Sequence, residues 1–252
     1  MFIGVERSEG MHKPPELIVA LDVGDLASAA ALVEQLYPTV TLFKVGLQLF
    51  TAEGPRAVDV VRQRGGDVFL DLKLHDIPNT VAGAVREAAR LGAVMCTLHA
   101  SGGRSMLQAA AQAVAGSGSA MRLLAVTVLT SLDSHGLGEI VGGTPDLAAQ
   151  VVRLASLARE AGLDGAVASP HEIGVLRAAL GPSMQLVIPG IRPAWAAAED
   201  QRRVMTPQEA AVAGADYLVI GRPITAAADP VQATCRILDD LKAVAYDDSR
   251  SL

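Results

Sequence analysis

Val68-Phe-Leu-Asp-Leu-Lys-Leu-His-Asp-Ile-Pro-Asn-Thr80 begins as an apolar strand and gathers charge as it ends. Residues two apart on a strand share a face, roughly 7 Å apart along it. Asp71 and Lys73 are therefore expected to project together, with Leu70, Leu72 and Leu74 packing the other way. Asp76 follows just past the strand, ahead of a helix that Pro78 can enter in its first turn. In isolation, such a D-x-K-x-x-D reads as an ion pair beside an acid that favours a helix start. The rest of the chain argues for more.

Outward from this stretch, short apolar runs recur, each followed by a helical pattern. Leu17–Val23, Leu42–Val45, Val68–Leu72 and Val94–Leu98 begin about 25 residues apart, the size of one strand–helix unit. Leu123–Val128, Gly165–Ala168, Gln185–Ile188 and Tyr217–Ile220 bring the count to eight. Between them lie helices such as 145–161, opened by Pro145, with Leu147, Val151, Leu154, Ala158 and Ala161 on one face. Gly162 ends it, as Gly92 and Gly214 end others. Nearly continuous apolar strands in eight β-then-α units predict an α/β fold, a parallel TIM (β/α)8 barrel in one domain. An open doubly wound sheet is the alternative, and the missing G-x-G-x-x-G after the first strand counts against its dinucleotide-binding form. The expected layout is a loose arm over 1–15, the barrel over 16–243 and a polar tail over 244–252.

Composition narrows the function. The 252 residues are 50% hydrophobic, enough for one large core, and the net charge of -6 disfavours nucleic acid as a partner. No apolar run approaches the roughly 20 residues needed to span a bilayer. No secretory pattern opens the chain. Cys96 and Cys235 have neither metal-ligand spacing nor a disulfide framework, and read as buried thiols of a reducing cytoplasm.

In this type of barrel, chemistry is built where strands end and loops begin. Those positions hold Asp22, Lys44, Asp71, Lys73, His99, Thr130 and Ser131, then Pro189-Gly-Ile-Arg192 and Gly221-Arg222. The charges of Asp22, Lys44, Asp71 and Lys73 cancel, so pairing alone satisfies them. Burying two ion pairs is seldom the cheapest route to stability, however, which favours a functional reason. Loops after strands seven and eight commonly hold phosphate. Here Gly190 and Gly221 let backbone amides approach an anion, and Arg192 or Arg222 can grip it with two hydrogen bonds. Ala194–Met205, carrying Gln201, Arg202 and Arg203, is long enough for a lid.

With these residues placed, the chain resembles the bacterial orotidine 5'-phosphate decarboxylases. The most specific match is Phe69-Leu-Asp-Leu-Lys-Leu-His-Asp-Ile-Pro-Asn-Thr80. Leu21-Asp-Val23, Phe43-Lys-Val-Gly46, Val126-Thr-Val-Leu-Thr-Ser131, Pro189-Gly-Ile-Arg192, Asp200-Gln-Arg-Arg-Val204 and Ile220-Gly-Arg-Pro-Ile224 follow in family order. The resemblance implies decarboxylation of orotidine 5'-phosphate to UMP, the last step of de novo pyrimidine synthesis, with no metal or organic cofactor. It implies Lys73 as proton donor, Asp71 beside the substrate carboxylate, and Lys44 and Asp76 completing an alternating charge network. It also implies a homodimer in which Asp76 and Thr80 cross to the neighbouring site. Asp22 and Lys44 are expected on the ribose, Thr130 on the pyrimidine edge, and Ile77 and Pro189 among the substrate contacts. Arg192, Gln201, Gly221 and Arg222 are expected on the phosphate and nearby groups. His99 is expected to be structural.

Two rivals remain. Sugar-phosphate relatives share the barrel and the D-x-K-x-x-D, but use Mg2+ and carry an acid where this chain has Lys44. A silent phosphate-binding barrel should have lost Lys73 or one of its acids, and neither is missing.

Overall fold

The computed structural model describes residues 13–196 and 205–248. Eight strands, β1 (Glu16–Ala20), β2 (Leu42–Gly46), β3 (Asp67–Leu74), β4 (Met95–His99), β5 (Arg122–Val126), β6 (Gly165–Val167), β7 (Gln185–Pro189) and β8 (Tyr217–Ile220), pair in order into a closed parallel barrel. Closure comes from β1 against β8, with Glu16 opposite Tyr217 and Val19 opposite Ile220. The expected barrel is thus the observed one. Each predicted strand is present, with ends displaced by a few residues; the first stops at Ala20 rather than Val23.

Side-chain alternation divides the core in two. Leu17, Val19 and Leu21 point outward into a large cluster shared with the helices. Ile18 and Ala20 point inward to join Leu42, Phe69, Met95, Leu124, Val187 and Val219. This inner plug fills the barrel, so a ligand can reach only its two ends.

The loops above the strands are shaped by helix caps. Asp25 accepts from the Ser28 amide at 2.8 Å to start Leu26–Leu36, and Thr206 and Glu209 form a capping box before Pro207–Ala213. The helix expected at 145–161 runs Leu147–Glu160, with Asp146 rather than Pro145 opening it. An aspartate there accepts the Ala149 amide, whereas proline has no side-chain oxygen to offer. The last helix, Pro230–Asp248, continues past residue 244, where the polar tail was expected to begin. Of the N-terminal arm, only residues 13–15 are described. Cys235 was expected to be buried and is exposed; it lies on the solvent side of that last helix, while Cys96 is buried.

At the N-terminal end of the barrel, Arg122 stacks over the Tyr217 ring at 5.2 Å, donates to the Tyr217 hydroxyl, and reaches the Gln185 Oε1 at 3.3 Å. Each of the three opens its strand, so together they stopper the base.

Candidate active site

The mouth of the barrel holds a cleft of about 350 Å³. Its floor is the top of the inner plug: Ala20, Phe69, Val167 and Val219. Asp22, Lys44, Asp71 and Lys73 line it together with Thr130, Pro189–Arg192, Gly221 and Arg222, and Gly221 lies beside Asp22 because β8 pairs with β1. Acids and amines from the first three strands therefore share one cleft with the expected anion-holding loops.

The charged wall is built by register. Ala20 lies opposite Lys44, Lys44 opposite Phe69, and Gly46 opposite Asp71, so successive strands bring their ends level. Lys44 Nζ donates to Asp22 Oδ1 at 2.9 Å and lies 3.8 Å from Asp71 Oδ2. Lys73 Nζ donates to the same Asp71 oxygen at 2.8 Å. The side chains of Lys44 and Asp71 are only 12% and 13% exposed, against 57% for Asp22. Asp71 is thus the sheltered centre, with two ammonium groups on one of its oxygens.

Lys73 reaches it by leaving regular strand geometry. Leu70 pairs with Cys96, but the next match is Leu74 with Leu98, so four steps on β3 answer two on β4. Within this bulge Lys73 has φ 51°, in the left-handed region that non-glycine residues rarely occupy. The regular strand backbone lapses beyond Asp71, yet the sides expected from the sequence hold, with Leu70, Leu72 and Leu74 packed on the outer cluster. The two side chains still meet, through a bent backbone rather than a flat one.

That bend has a partner that sequence reasoning missed. Thr97, fully buried on β4, accepts the Lys73 amide at 2.9 Å and donates its hydroxyl to Asp71 Oδ1 at 2.9 Å. The signal was parity, because Met95, Thr97 and His99 alternate inward between Cys96 and Leu98. A Cβ at Gly46 would come within 2.9 Å of Lys44 Nζ, so a side chain there would push the ammonium aside.

Around this centre, the His99 ring lies 5.4 Å from that of His75. Burial, then His75 and Lys73, lower the His99 pKa against the opposing pull of Asp71. On the outer face, burial and the Asp71 charge push the Cys96 thiol up to about 12, which leaves it unreactive.

The other expected residues divide. Thr130, Pro189, Arg192, Gly221 and Arg222 line the cleft. Gly190 has φ 78°, so its glycine is demanded by the backbone; Gly221 has φ -110° and needs no such freedom. Asp76, Ile77 and Thr80 do not line it. They are exposed at the start of the helix Pro78–Arg90, where the Asp76 carboxylate accepts the Ile77 amide at 2.6 Å. Within one chain, then, the network contains Lys44, Asp71 and Lys73 with Asp22, and Asp76 stands apart. Gln201, Arg202 and Arg203 lie outside the described residues. Both stems of their segment are anchored: the Arg192 amide donates to the Met205 carbonyl at 3.0 Å, and Arg236 stacks over Trp195 at 4.9 Å.

Comparison with known proteins agrees with this fold. Residues 15–237 match the model of the Orotidine 5'-phosphate decarboxylase / HUMPS family. The orotidine 5'-phosphate decarboxylase of Moorella thermoacetica is 56% identical over 239 residues, covering 93% of this chain and 95% of its own. That of Trichlorobacter lovleyi is 52% identical over 240 residues, covering 94% and 98%. Among solved structures, the orotidine 5'-phosphate decarboxylase of Lactobacillus acidophilus superposes with a TM-score of 0.80 at 36% identity, covering 91% of this chain and 99% of its own. A barrel closed in this order, with its charges at the mouth and a match along nearly its whole length, leaves one assignment: the chain belongs to the orotidine 5'-phosphate decarboxylase / HUMPS family.

Proposed function

We propose that this protein decarboxylates orotidine 5'-phosphate to UMP and CO2, the last step of UMP biosynthesis, using its own side chains and no metal or organic cofactor. The observation that carries the reading is Lys73 Nζ, held 2.8 Å from Asp71 in a cleft also lined by Arg192 and Arg222. With the phosphate on these arginines and the ribose near Asp22 and Lys44, the pyrimidine C6 carboxylate is directed at Asp71. The C6–carboxylate bond breaks and its electron pair stays on C6. Lys73 then supplies the proton; the new C6–H bond forms as the N–H pair returns to Nζ, leaving a neutral amine.

As negative charge gathers on C6, the ammonium gains an attraction it lacked in the ground state, which is what lowers a barrier. Repulsion between Asp71 and the reacting carboxylate contributes less. Two unit charges about 4 Å apart at an effective dielectric near 20 interact by ~4 kcal/mol. That is at most about three powers of ten in rate, short of the larger accelerations enzymes reach.

Lys44 supports this chemistry over that of the Mg2+-using sugar-phosphate relatives. Its ammonium sits between Asp22 and Asp71, the place a divalent cation would need, and would repel one. Among the described residues, no group of three or more His, Cys, Asp or Glu could hold a metal ion elsewhere.

The homodimer belongs to the same proposal. Asp76, Ile77 and Thr80 do not line their own cleft, and Ile77 is 67% exposed, an apolar side chain suited to an interface. A second copy facing it would bring Asp76 to Lys73 and complete the alternating charges. Sedimentation should give a dimer, and Ile77→Glu should weaken it; a monomer with full activity would end that part. A cytoplasmic location fits the reaction, and among the described residues no helix is long and apolar enough to cross a membrane. The activity itself is tested by the fall in orotidine 5'-phosphate absorbance on adding metal-free protein with EDTA. No fall in absorbance rejects the proposal, and activity that appears only with Mg2+ favours the rival.

A further inference from the structure

The Thr97 hydroxyl has a single proton, and its direction is settled by its neighbours. Asp71 Oδ1, 2.9 Å away, is a carboxylate oxygen and can only accept; the Lys73 amide, 2.9 Å away, can only donate. The hydroxyl therefore passes one hydrogen bond from the Lys73 backbone to the Asp71 carboxylate. It does so from a fully buried position, with no water needed. Asp71 is consequently held from two sides, Thr97 on Oδ1 and the ammonium of Lys73 on Oδ2. Lys73 is held at both of its ends, its amide by Thr97 and its Nζ by Asp71. The β3–β4 ladder lapses between Leu70 and Leu74, which is where the Thr97 hydroxyl bonds the Lys73 amide.

We propose that Thr97 is a positioning residue for proton transfer, fixing the left-handed backbone of Lys73 and the plane of the Asp71 carboxylate through one buried hydroxyl. It touches no substrate and acts through Asp71 and Lys73, so the inference rests on Lys73 being the proton donor. Without the hydroxyl, the Lys73 amide is left unsatisfied and the carboxylate can rotate about its Cβ–Cγ bond. The ammonium then no longer points at one place, although the phosphate and ribose contacts are untouched.

The test compares Thr97→Val, which keeps the branched shape without the hydroxyl, with Thr97→Ser, which keeps the hydroxyl. Loss of a hydrogen bond to a charged group corresponds to about 10- to 100-fold. Thr97→Val should lose that much in kcat, while KM and UMP affinity change by less than about threefold. It should also slow exchange of the UMP C6 hydrogen with deuterated water, the same proton transfer run backwards, by a similar factor. Thr97→Ser should restore kcat to within about threefold of the starting protein. Wild-type kcat in Thr97→Val, or a loss borne by KM alone, overturns the inference, as does failure of serine to restore the rate. If Thr97→Val does not fold, Thr97→Ala asks the same question, and wild-type kcat in it is equally fatal. Lys73→Ala, assayed alongside, separates the two ideas. Full activity there rejects the donor assignment itself, whereas its inactivity beside a normal Thr97→Val rejects only the role of Thr97.

Discussion

The two ends of the barrel bury polar groups in opposite ways. In the loops beneath the base, the charge of Arg177 is answered several times over. Arg177 donates to the carbonyls of Gly214, Gly181 and Met184, at 2.8, 3.1 and 2.7 Å, and to the Asp216 carboxylate. Asp216 accepts the Leu186 amide at 2.6 Å, and Asp164 accepts the Leu123 amide at 2.8 Å. At the mouth, Lys44 and Lys73 share one oxygen of Asp71 and face an open cleft. Where Arg177 meets backbone carbonyls, Lys44 and Lys73 meet carboxylates. A charge fully answered by the protein gives stability and little else; one answered only by another charge keeps some of its field for a ligand.

Four substitutions break or sharpen this contrast. The largest effect is expected for Lys73→Ala, which should cost about a thousandfold or more in kcat while leaving the thermal midpoint near that of the parent. Assays of turnover and melting on the same preparation would show it; near-normal turnover would contradict the donor role. Next comes Arg177→Ala at the other end. It removes the donor to three carbonyls and leaves Asp216 only the Leu186 amide, and allowing for its partial exposure it should cost about 2 kcal/mol of stability. Urea unfolding would measure that loss, and kcat should be unchanged. Arg122→Met is milder: it removes the stacking on Tyr217 and the bonds to Tyr217 and Gln185 while keeping an apolar stem, for about 1 kcal/mol. A fall in kcat from either base substitution would show that the two ends are not separable.

The smallest effect concerns pH. The His99 pKa is lowered in the folded chain, chiefly by burial, from the ordinary value of 6.5. Below 6.5, the unfolded chain takes up a proton that folded His99 resists, so stability rises with pH in that window and is lost as pH falls through the folded value. Above 6.5, both states are neutral there and the contribution is flat. His99→Gln should flatten the slope of unfolding free energy below pH 6.5. An unchanged slope would assign that dependence to other groups.

How legible each end was in the sequence follows from the same contrast. The mouth announced itself, because Asp71, Lys73 and Asp76 are charges set in an apolar strand and its turn, a local departure from pattern visible without coordinates. The Gly–Arg pairs after β7 and β8 stood out for the same reason, and they do line the cleft. The base did not. Arg122, Gln185 and Tyr217 each look like an ordinary polar start to a strand, and their meeting depends on three strands being brought together by closure. Cys235 was misplaced because burial was read from residue type, whereas its position on the last helix decides which face it takes.

By itself, the order of residues determined the eight strand–helix units, the inward and outward faces of each strand, and the inventory of charges at the strand ends. These follow from periods of two and 3.6 residues, which are properties of a local chain. Only the tertiary structure decided that Lys44 would bridge Asp22 and Asp71, that β3 would bulge, and that Thr97 would hold the amide of a left-handed Lys73. Those facts depend on the register between neighbouring strands. Register is set by how the whole barrel closes over its core, and no single stretch of sequence carries it.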